Sequence, residues 1–326
     1  MKVLVTGGRG RISSGIIKRL SETRNYQIYA TSRPSSPPPN KQWSKYARFL
    51  RVDLTNQIQT EKLFKLKFDA VVHLAGLVKT VDYFQDKPAT VLLNNLKIDT
   101  NVFSQIQKAK VKRIIFLSTI NLFHPLKIKY FKGGEIKKIP VPEDGYDFSK
   151  LTGEILCKTV AKELGIEYVI LRPMGHLYGP SYPPETKNPP IEEIRKSQIT
   201  YLIHQMLKGK SPLEAKGNPD QKRTWVHIYD LADAVTLALE KKSAKNGDFY
   251  IGSNESVSLR EIAKKLYKII FLNQKRQVEF GRSTYFRTVN FKVDYLYTKR
   301  VLGWEAKYNV KNSLPELVEW IRKYFI

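Results

Sequence analysis

Apolar residues fall in short unbroken runs, separated by stretches with the period of a helix. Residues 2–6 (Lys-Val-Leu-Val-Thr) read as a buried strand, and the runs Gln27–Thr31, Ala70–Leu74, Arg113–Leu117 and Tyr168–Leu171 repeat that texture. Between them the spacing predicts helices over 13–20, 92–109 and 148–164. Continuous apolar strands alternating with helices imply an α/β, doubly wound parallel sheet covered on both faces. After Arg172-Pro173 the pattern changes. Tyr178-Gly179-Pro180, Pro183-Pro184 and Pro189-Pro190 mark a long irregular segment. Helices resume over 191–207, 230–241 and 259–271, and a terminal helix is expected over 314–324. No internal repeat and no flexible linker divides the chain.

Composition narrows the class. The 326 residues are 42% hydrophobic, which excludes wholesale disorder. No run of 18 apolar residues occurs, so no membrane span is expected, and the start of the chain lacks the marks of a secretory signal. Cys157 is the only cysteine, which rules out a disulfide within the chain and a cysteine-based metal cage; a reducing, cytoplasmic compartment is expected. Lys and Arg total 56 against 30 acids, a net charge of +26 that favours anionic partners. The basic residues are dispersed, as on a solvated face, so a nucleic-acid partner is not expected. Their densest cluster is Lys127, Lys129, Lys132, Lys137 and Lys138, in one apparent loop that could cover a substrate.

The first strand runs into Thr6-Gly7-Gly8-Arg9-Gly10-Arg11-Ile12-Ser13 and then a helix. Such a turn lets the backbone approach a pyrophosphate, which the helix N-terminus meets with free N–H groups. Ser13 stands at the third glycine position, where a side chain is expected to loosen the approach of helix to cofactor. The second strand ends in Ser32-Arg33, without the acid that would bind the ribose hydroxyls of NAD. Two guanidiniums, Arg9 and Arg33, and a hydroxyl make a phosphate site. The expected cofactor is therefore NADP, with NAD second.

In order along the chain, further marks accumulate. They are Asp53-Leu54; His73-Leu74-Ala75-Gly76 after a strand; Asn95; Ser118-Thr119 ending a strand; and Tyr146-Asp147-Phe148-Ser149-Lys150 with Glu154. Arg172-Pro173, Arg223-Thr224-Trp225-Val226-His227, Asp230, Ile251-Gly252-Ser253 and Leu302-Gly303-Trp304 follow. Over nearly its whole length the sequence resembles the extended short-chain dehydrogenase/reductase family of nucleotide-sugar epimerases, dehydratases and reductases. The resemblance implies a Rossmann-type sheet with a smaller, mainly C-terminal substrate-binding region. Residues 1–174, with about 224–254, would form the dinucleotide-binding domain; 175–223 and 255–326 would form the rest. It implies a cofactor site built from Gly7, Arg9, Gly10, Arg11, Ile12, Ser32, Arg33, Asp53, Leu54, Leu74, Ala75, Gly76, Asn95, Tyr146, Lys150 and Pro173. It also implies a homodimer through the Asn95 and Tyr146 helices.

Hydride transfer at a carbinol carbon needs a group to exchange the oxygen's proton. A phenol titrates near pH 10, at about the upper limit for a useful base. Lys150 lies one helical turn from Tyr146, where an ammonium favours the phenolate. The chain holds three Tyr-x-x-x-Lys spacings; Tyr83/Lys87 and Tyr295/Lys299 lack the strand context and read as surface pairs. The five histidines show no metal-ligand spacing. The resemblance implies that Thr119 orients the substrate oxygen, that Arg223 contacts a diphosphate, and that His176 stands where an Asn is usual. Family dehydratases carry Asp-Glu after the catalytic Thr, and 3,5-epimerase-reductases a Cys after the hydroxyl pair. Here the residues are Ile120-Asn121, which disfavours both reactions. What remains is 4-keto reduction of a nucleotide-diphosphate sugar, placed first because of NADP, or 4-epimerisation with retained cofactor. A non-catalytic nucleic-acid-binding relative is the third reading.

Overall fold

The computed structural model describes the chain except for residues 37–40, 79–80, 127–129, 132–141, 143, 182–193, 196, 273–277 and 282–291. The basic cluster Lys127–Lys138 and the two Pro-Pro pairs lie outside the described residues. One sheet of seven parallel strands forms the centre. Its strands are β1 (Lys2–Thr6), β2 (Gln27–Ser32), β3 (Arg48–Arg51), β4 (Ala70–His73), β5 (Arg113–Leu117), β7 (Glu167–Pro173) and β10 (Gly247–Ile251). The spatial order is β3-β2-β1-β4-β5-β7-β10. The chain leaves β1 in one direction and returns to β4 on the other side. This reversal opens a crevice beyond the carboxyl ends of β1 and β4.

Alternation along the strands sets the two layers. Val3 and Val5 of β1 face a cluster that holds Ile16, Ile17 and Leu20 of helix α1 (Arg11–Glu22). Leu231 and Val235 of the helix Ile228–Glu240 lie in the same cluster. Leu4 faces the opposite cluster, with Leu63 and Phe64 of α3 (Gln57–Phe64), Val102 and Ile106 of α5 (Pro88–Lys108) and Cys157 of α6 (Gly145–Leu164). The short helix α2 (Lys41–Ser44) adds Trp43 to the first cluster, and α4 (Val81–Asp86) precedes α5 in the chain. A third cluster joins α7 (Gln198–Leu207), α9 (Leu259–Ile270) and α11 (Val310–Phe325); the helix Ile228–Glu240 is thus α8, and Leu296–Leu302 is α10. A separate three-stranded sheet places β9 (Lys222–His227) between β8 (His176–Tyr178) and β11 (Ser256–Ser258). The remaining strands, β6 (Tyr130–Phe131) and β12 (Lys292–Val293), pair with each other.

Caps explain where the helices begin. Asp144 accepts the N–H groups of Tyr146 and Asp147, so α6 starts three residues before the expected Phe148 and ends at Gly165, left-handed at φ +64°. Asn309 accepts from Asn312 and starts α11 ahead of the expected Leu314, with Pro315 inside the helix. Pro88 opens α5 four residues before the expected Leu92. Arg113 donates from Nη1 to the carbonyls of Ala238 (2.9 Å), Leu239 (2.8 Å) and Lys241 (3.2 Å), and so caps the C-terminus of α8 with a cation.

An ion-pair network holds α6 to the sheet. Glu154 and Arg172 are both buried. The guanidinium donates from Nε to Oε1 (2.8 Å) and from Nη2 to Oε2 (2.6 Å). Nη2 also reaches Asp248 Oδ2 at 2.8 Å, and Lys158 Nζ meets the same oxygen at 2.7 Å. Burial opposes the charge on Arg172, but Glu154 and Asp248 outweigh it and hold the guanidinium well above its ordinary value. A buried pair adds little over packed apolar groups, yet breaking one partner strands a charge. Glu154→Gln should therefore lower stability by about 3–5 kcal/mol in urea unfolding. The double variant Glu154→Leu/Arg172→Leu should lose less than the single one.

Candidate functional site

The glycine turn fills the crevice between β1 and β4. Gly7 adopts φ +67°, and a Cβ there would stand 2.8 Å from Ala75 Cα. Gly8 donates to Thr31 O (2.7 Å), and Gly10 to Gly7 O (2.9 Å). Ser13 does not loosen this turn. Its hydroxyl donates to Gly7 O at 2.7 Å and ties the first helical turn back to the loop. Close packing against α8 occurs at Gly15, where a Cβ would meet three atoms of Ile228 at 3.3–3.4 Å, so that Ile228 would have to give by a few tenths of an ångström.

Three residues from separate elements support the other lip. Thr6 Oγ1 accepts N–H groups from Leu74 (3.0 Å) and Ala75 (3.1 Å), so its own proton goes to His73 Nδ1 at 2.7 Å. His73 Nε2–H then donates to Asp99 Oδ1 at 2.9 Å. Sequence reading noted His73 but missed Asp99, which carries no local signature. Asn95 accepts from Leu77 N (2.6 Å) and donates to Ser149 Oγ (3.1 Å), linking the loop after β4 to α6. Gly76 packs on it, its Cβ position lying 3.4 Å from Asn95 Oδ1.

At the end of β2, Ser32 is buried and its Oγ finds no hydrogen-bond partner, while Arg33 is exposed. Asp53, after β3, accepts the N–H (2.9 Å) and hydroxyl (2.7 Å) of Thr55, and Asn101 holds the carbonyl of Leu54 at 2.9 Å. Arg9 and Ile12 are half-buried at the turn. Arg11 is the first residue of α1, and burial pulls its guanidinium down to about 10.

Thr119 follows β5 and Tyr146 opens α6. Thr119 Oγ1 accepts from Asn121 N at 3.2 Å. Lys150 is buried, and its Nζ donates to Leu117 O, the last residue of β5, at 2.8 Å. Phe84 of α4 stacks on Tyr146, the rings 6° from parallel at 4.9 Å. Burial pushes the Tyr146 phenol up, reinforced by Asp147 and Asp144. Burial pulls Lys150 down, opposed by Asp99 and Glu154. Lys150 thus donates to the strand carbonyl, and burial is the largest influence on both the phenol and the ammonium.

On the substrate side, Pro173 ends β7 and His176 packs on Trp225, ring centroids 5.2 Å apart. Arg223 is buried; it donates to Gln198 Oε1 (2.6 Å) and to the carbonyls of Lys216 and Asn218 (both 3.0 Å). Tyr295 is no surface residue. Its hydroxyl is buried, 3.0 Å from the Cβ position of Gly252. His227 stacks on Tyr308 at 4.2 Å and accepts from Tyr229 N through Nδ1 at 3.2 Å, which caps α8. Asp230 accepts from Lys307 N (2.8 Å) and Tyr308 N (3.2 Å). Among the described residues, no group of three His, Cys, Asp or Glu could hold a metal, and no helix is long and apolar enough to cross a membrane.

A doubly wound sheet with a glycine turn at its switch point and a Tyr-x-x-x-Lys helix beside it defines a nucleotide-binding enzyme class. Residues 3–252 match the model of the NAD dependent epimerase/dehydratase family, and the chain belongs to that family. It is 28% identical over 332 residues to a putative UDP-glucose 4-epimerase of Methanocaldococcus jannaschii, covering 98% of both chains. It is 23% identical to dTDP-4-dehydro-6-deoxy-D-allose reductase of Streptomyces bikiniensis, covering 99% of this chain and 96% of the relative. The crystal structure of UDP-glucose 4-epimerase from Thermotoga maritima with UDP-glucose superposes with a TM-score of 0.83 at 25% identity, over 99% of each chain.

His227 makes stability depend on pH. Its Nδ1 must stay unprotonated to cap α8, and burial pulls it from 6.5 down to about 4. The neutral folded form is therefore favoured: the contribution is present above the ordinary value and lost as pH falls through about 4. That contribution is about 3 kcal/mol. Asp230, raised by burial to about 6, works oppositely, regaining stability as pH falls through 6. Urea unfolding at pH 7 and pH 4 should show His227→Gln losing less stability on acidification than the parent.

Proposed function

We propose that the chain transfers hydride at C4 of a nucleotide-diphosphate sugar and works as a cofactor-retaining 4-epimerase. The observation that carries this is the placement of Thr119, Tyr146 and Lys150 at the carboxyl edge of β5, with Ile120 and Asn121 next in the chain. Neither of those two side chains can exchange a proton, so elimination of water has no acid–base pair, and hydride exchange at one carbon remains. The UDP-glucose 4-epimerase likenesses favour epimerisation over reduction, which sequence reading places first.

The turn fits a dinucleotide: Gly7, left-handed and packed against Ala75, keeps the turn close to the end of β4, and Ser32 Oγ lies unpartnered at the end of β2, where the adenosine ribose would sit. Gly7, Gly10 and the N–H groups of Arg11 and Ile12 would hold the diphosphate, and Asp53 and Leu54 the adenine. Leu74, Ala75, Gly76, Asn95, Lys150 and Pro173 would surround the nicotinamide end. When bound, the nicotinamide supplies hydride exchange. Tyr146 Oη would take the proton of the sugar hydroxyl as the phenolate and return it as the phenol, and Thr119 Oγ1 would orient that oxygen. Phe84 shields one face of the phenol from water. Arg223 and His176 line the side where the sugar diphosphate would lie. Leu93 on α5 and Ile155 on α6, both 57% exposed, suit a homodimer through these helices.

A second reading, an NADP-dependent 4-keto-sugar reductase, is favoured by Ser32 and Arg33 in place of an acid at the end of β2. Fluorescence titration with NADPH and NADH separates the two. Tighter NADPH binding, with one NADPH consumed per turnover, supports the reductase. NADH preference with interconversion of UDP-sugar epimers, and no net cofactor consumption, supports the epimerase. Tyr146→Phe should reduce turnover roughly 10²–10⁴-fold in either case and leave dinucleotide affinity unchanged. A variant that retains most of its turnover removes Tyr146 from the mechanism.

A further inference from the structure

We propose that Arg11 is a clasp: one guanidinium nitrogen binds the diphosphate of the dinucleotide, and the other holds the substrate-side strand β8. The inference rests on the dinucleotide reading above and adds a side-chain contact and a coupling to it. Arg11 Nη2 donates to Leu177 O, in the middle of β8, at 2.9 Å. Its Nη1 is enclosed and has no hydrogen-bond partner.

Electrostatics make this arrangement costly without an anion. Arg11 stands at the first position of α1, against the positive end of the helix dipole. Burial is the only influence on its charge, and no carboxylate offsets it. Arg172 has Glu154 and Asp248, and Arg113 has Glu167, whereas Arg223, like Arg11, is bonded to neutral acceptors. An unpaired buried cation at a helix N-terminus lacks an anion. The last glycine of the turn that would receive a diphosphate, Gly10, immediately precedes it as the N-cap of α1. A phosphate oxygen on Nη1 would supply the missing acceptor and the missing charge together.

The other end of the fork gives the contact a second effect. β8 carries His176 and pairs with β9, which carries Arg223, Thr224 and Trp225. A dinucleotide that fixes Arg11 therefore also fixes the strands on the sugar side. Dinucleotide binding should order β8 and β9 before the sugar arrives.

The test compares the parent protein, Arg11→Met and Arg11→Lys. Methionine keeps the apolar stem and removes the fork. Affinities for ADP-ribose, NADH, NADPH and adenosine are measured, with hydrogen exchange over 176–178 and 222–227 in the presence and absence of ADP-ribose. Arg11→Met should weaken ADP-ribose, NADH and NADPH by a common factor of roughly 10–100 and leave adenosine unchanged. ADP-ribose should slow exchange in β8 in the parent only. Arg11→Lys should regain part of the affinity without the protection, and it carries the test if the methionine variant does not fold. Unchanged affinities, or a loss confined to NADPH, overturn the clasp. A parent protein that binds neither dinucleotide overturns the functional reading itself, which is a distinct result.

Discussion

The position of helix α6 depends on the contact between Glu154 and Arg172. Tyr146, Lys150 and Glu154 recur every four residues, so they share one face of α6. The lower residue is pinned to β7 and β10 by the forked contact with Arg172 and its link to Asp248. The middle residue is pinned to the last carbonyl of β5. Two polar anchors one turn apart fix both the rotation and the height of the helix. An apolar interface would have allowed several near-equivalent settings, because dispersion is not directional. The top residue, Tyr146, inherits its place from the two below.

Buried charge is distributed unevenly around this frame. Arg113 and Arg172 meet carboxylates and serve architecture, the first at a helix terminus and the second beneath α6. Arg223 spends its nitrogens on Gln198 and two carbonyls. Arg11 has one carbonyl and no acid. The net charge of +26 says nothing about which of these is functional. The distinction appears only when each guanidinium is followed to its partners.

What could be read from residues alone follows the same logic. Strands β1, β2, β4, β5 and β7 announce themselves, because a strand buried on both faces is apolar throughout. Edge strand β3 (Arg-Phe-Leu-Arg) is half-exposed, and its arginines mask it. β10 begins Gly-Asp, and that Asp248 belongs to the ion-pair network rather than to solvent. The glycine turn and the Tyr146/Lys150 pair are legible because each is local. The relay from Thr6 through His73 to Asp99 spans three elements and becomes visible only when they meet. Ser13 shows the limit of a motif: a departure from the glycine pattern reads as a loss, yet the hydroxyl replaces the missing fit with a hydrogen bond to Gly7. Tyr295 reads as a surface residue because its lysine spacing says nothing about burial.

Helix α1 rests on α8, with Arg19 bonded to Asp233 at 2.6 Å across 214 residues of chain. This long separation matters during synthesis. At about 5–20 residues per second, the apolar face of α1 leaves the ribosome roughly 10–40 s before its partner exists. Ile16, Ile17 and Leu20 are among the residues exposed in that interval. Until the second half arrives, that face has only the first strands to collapse against.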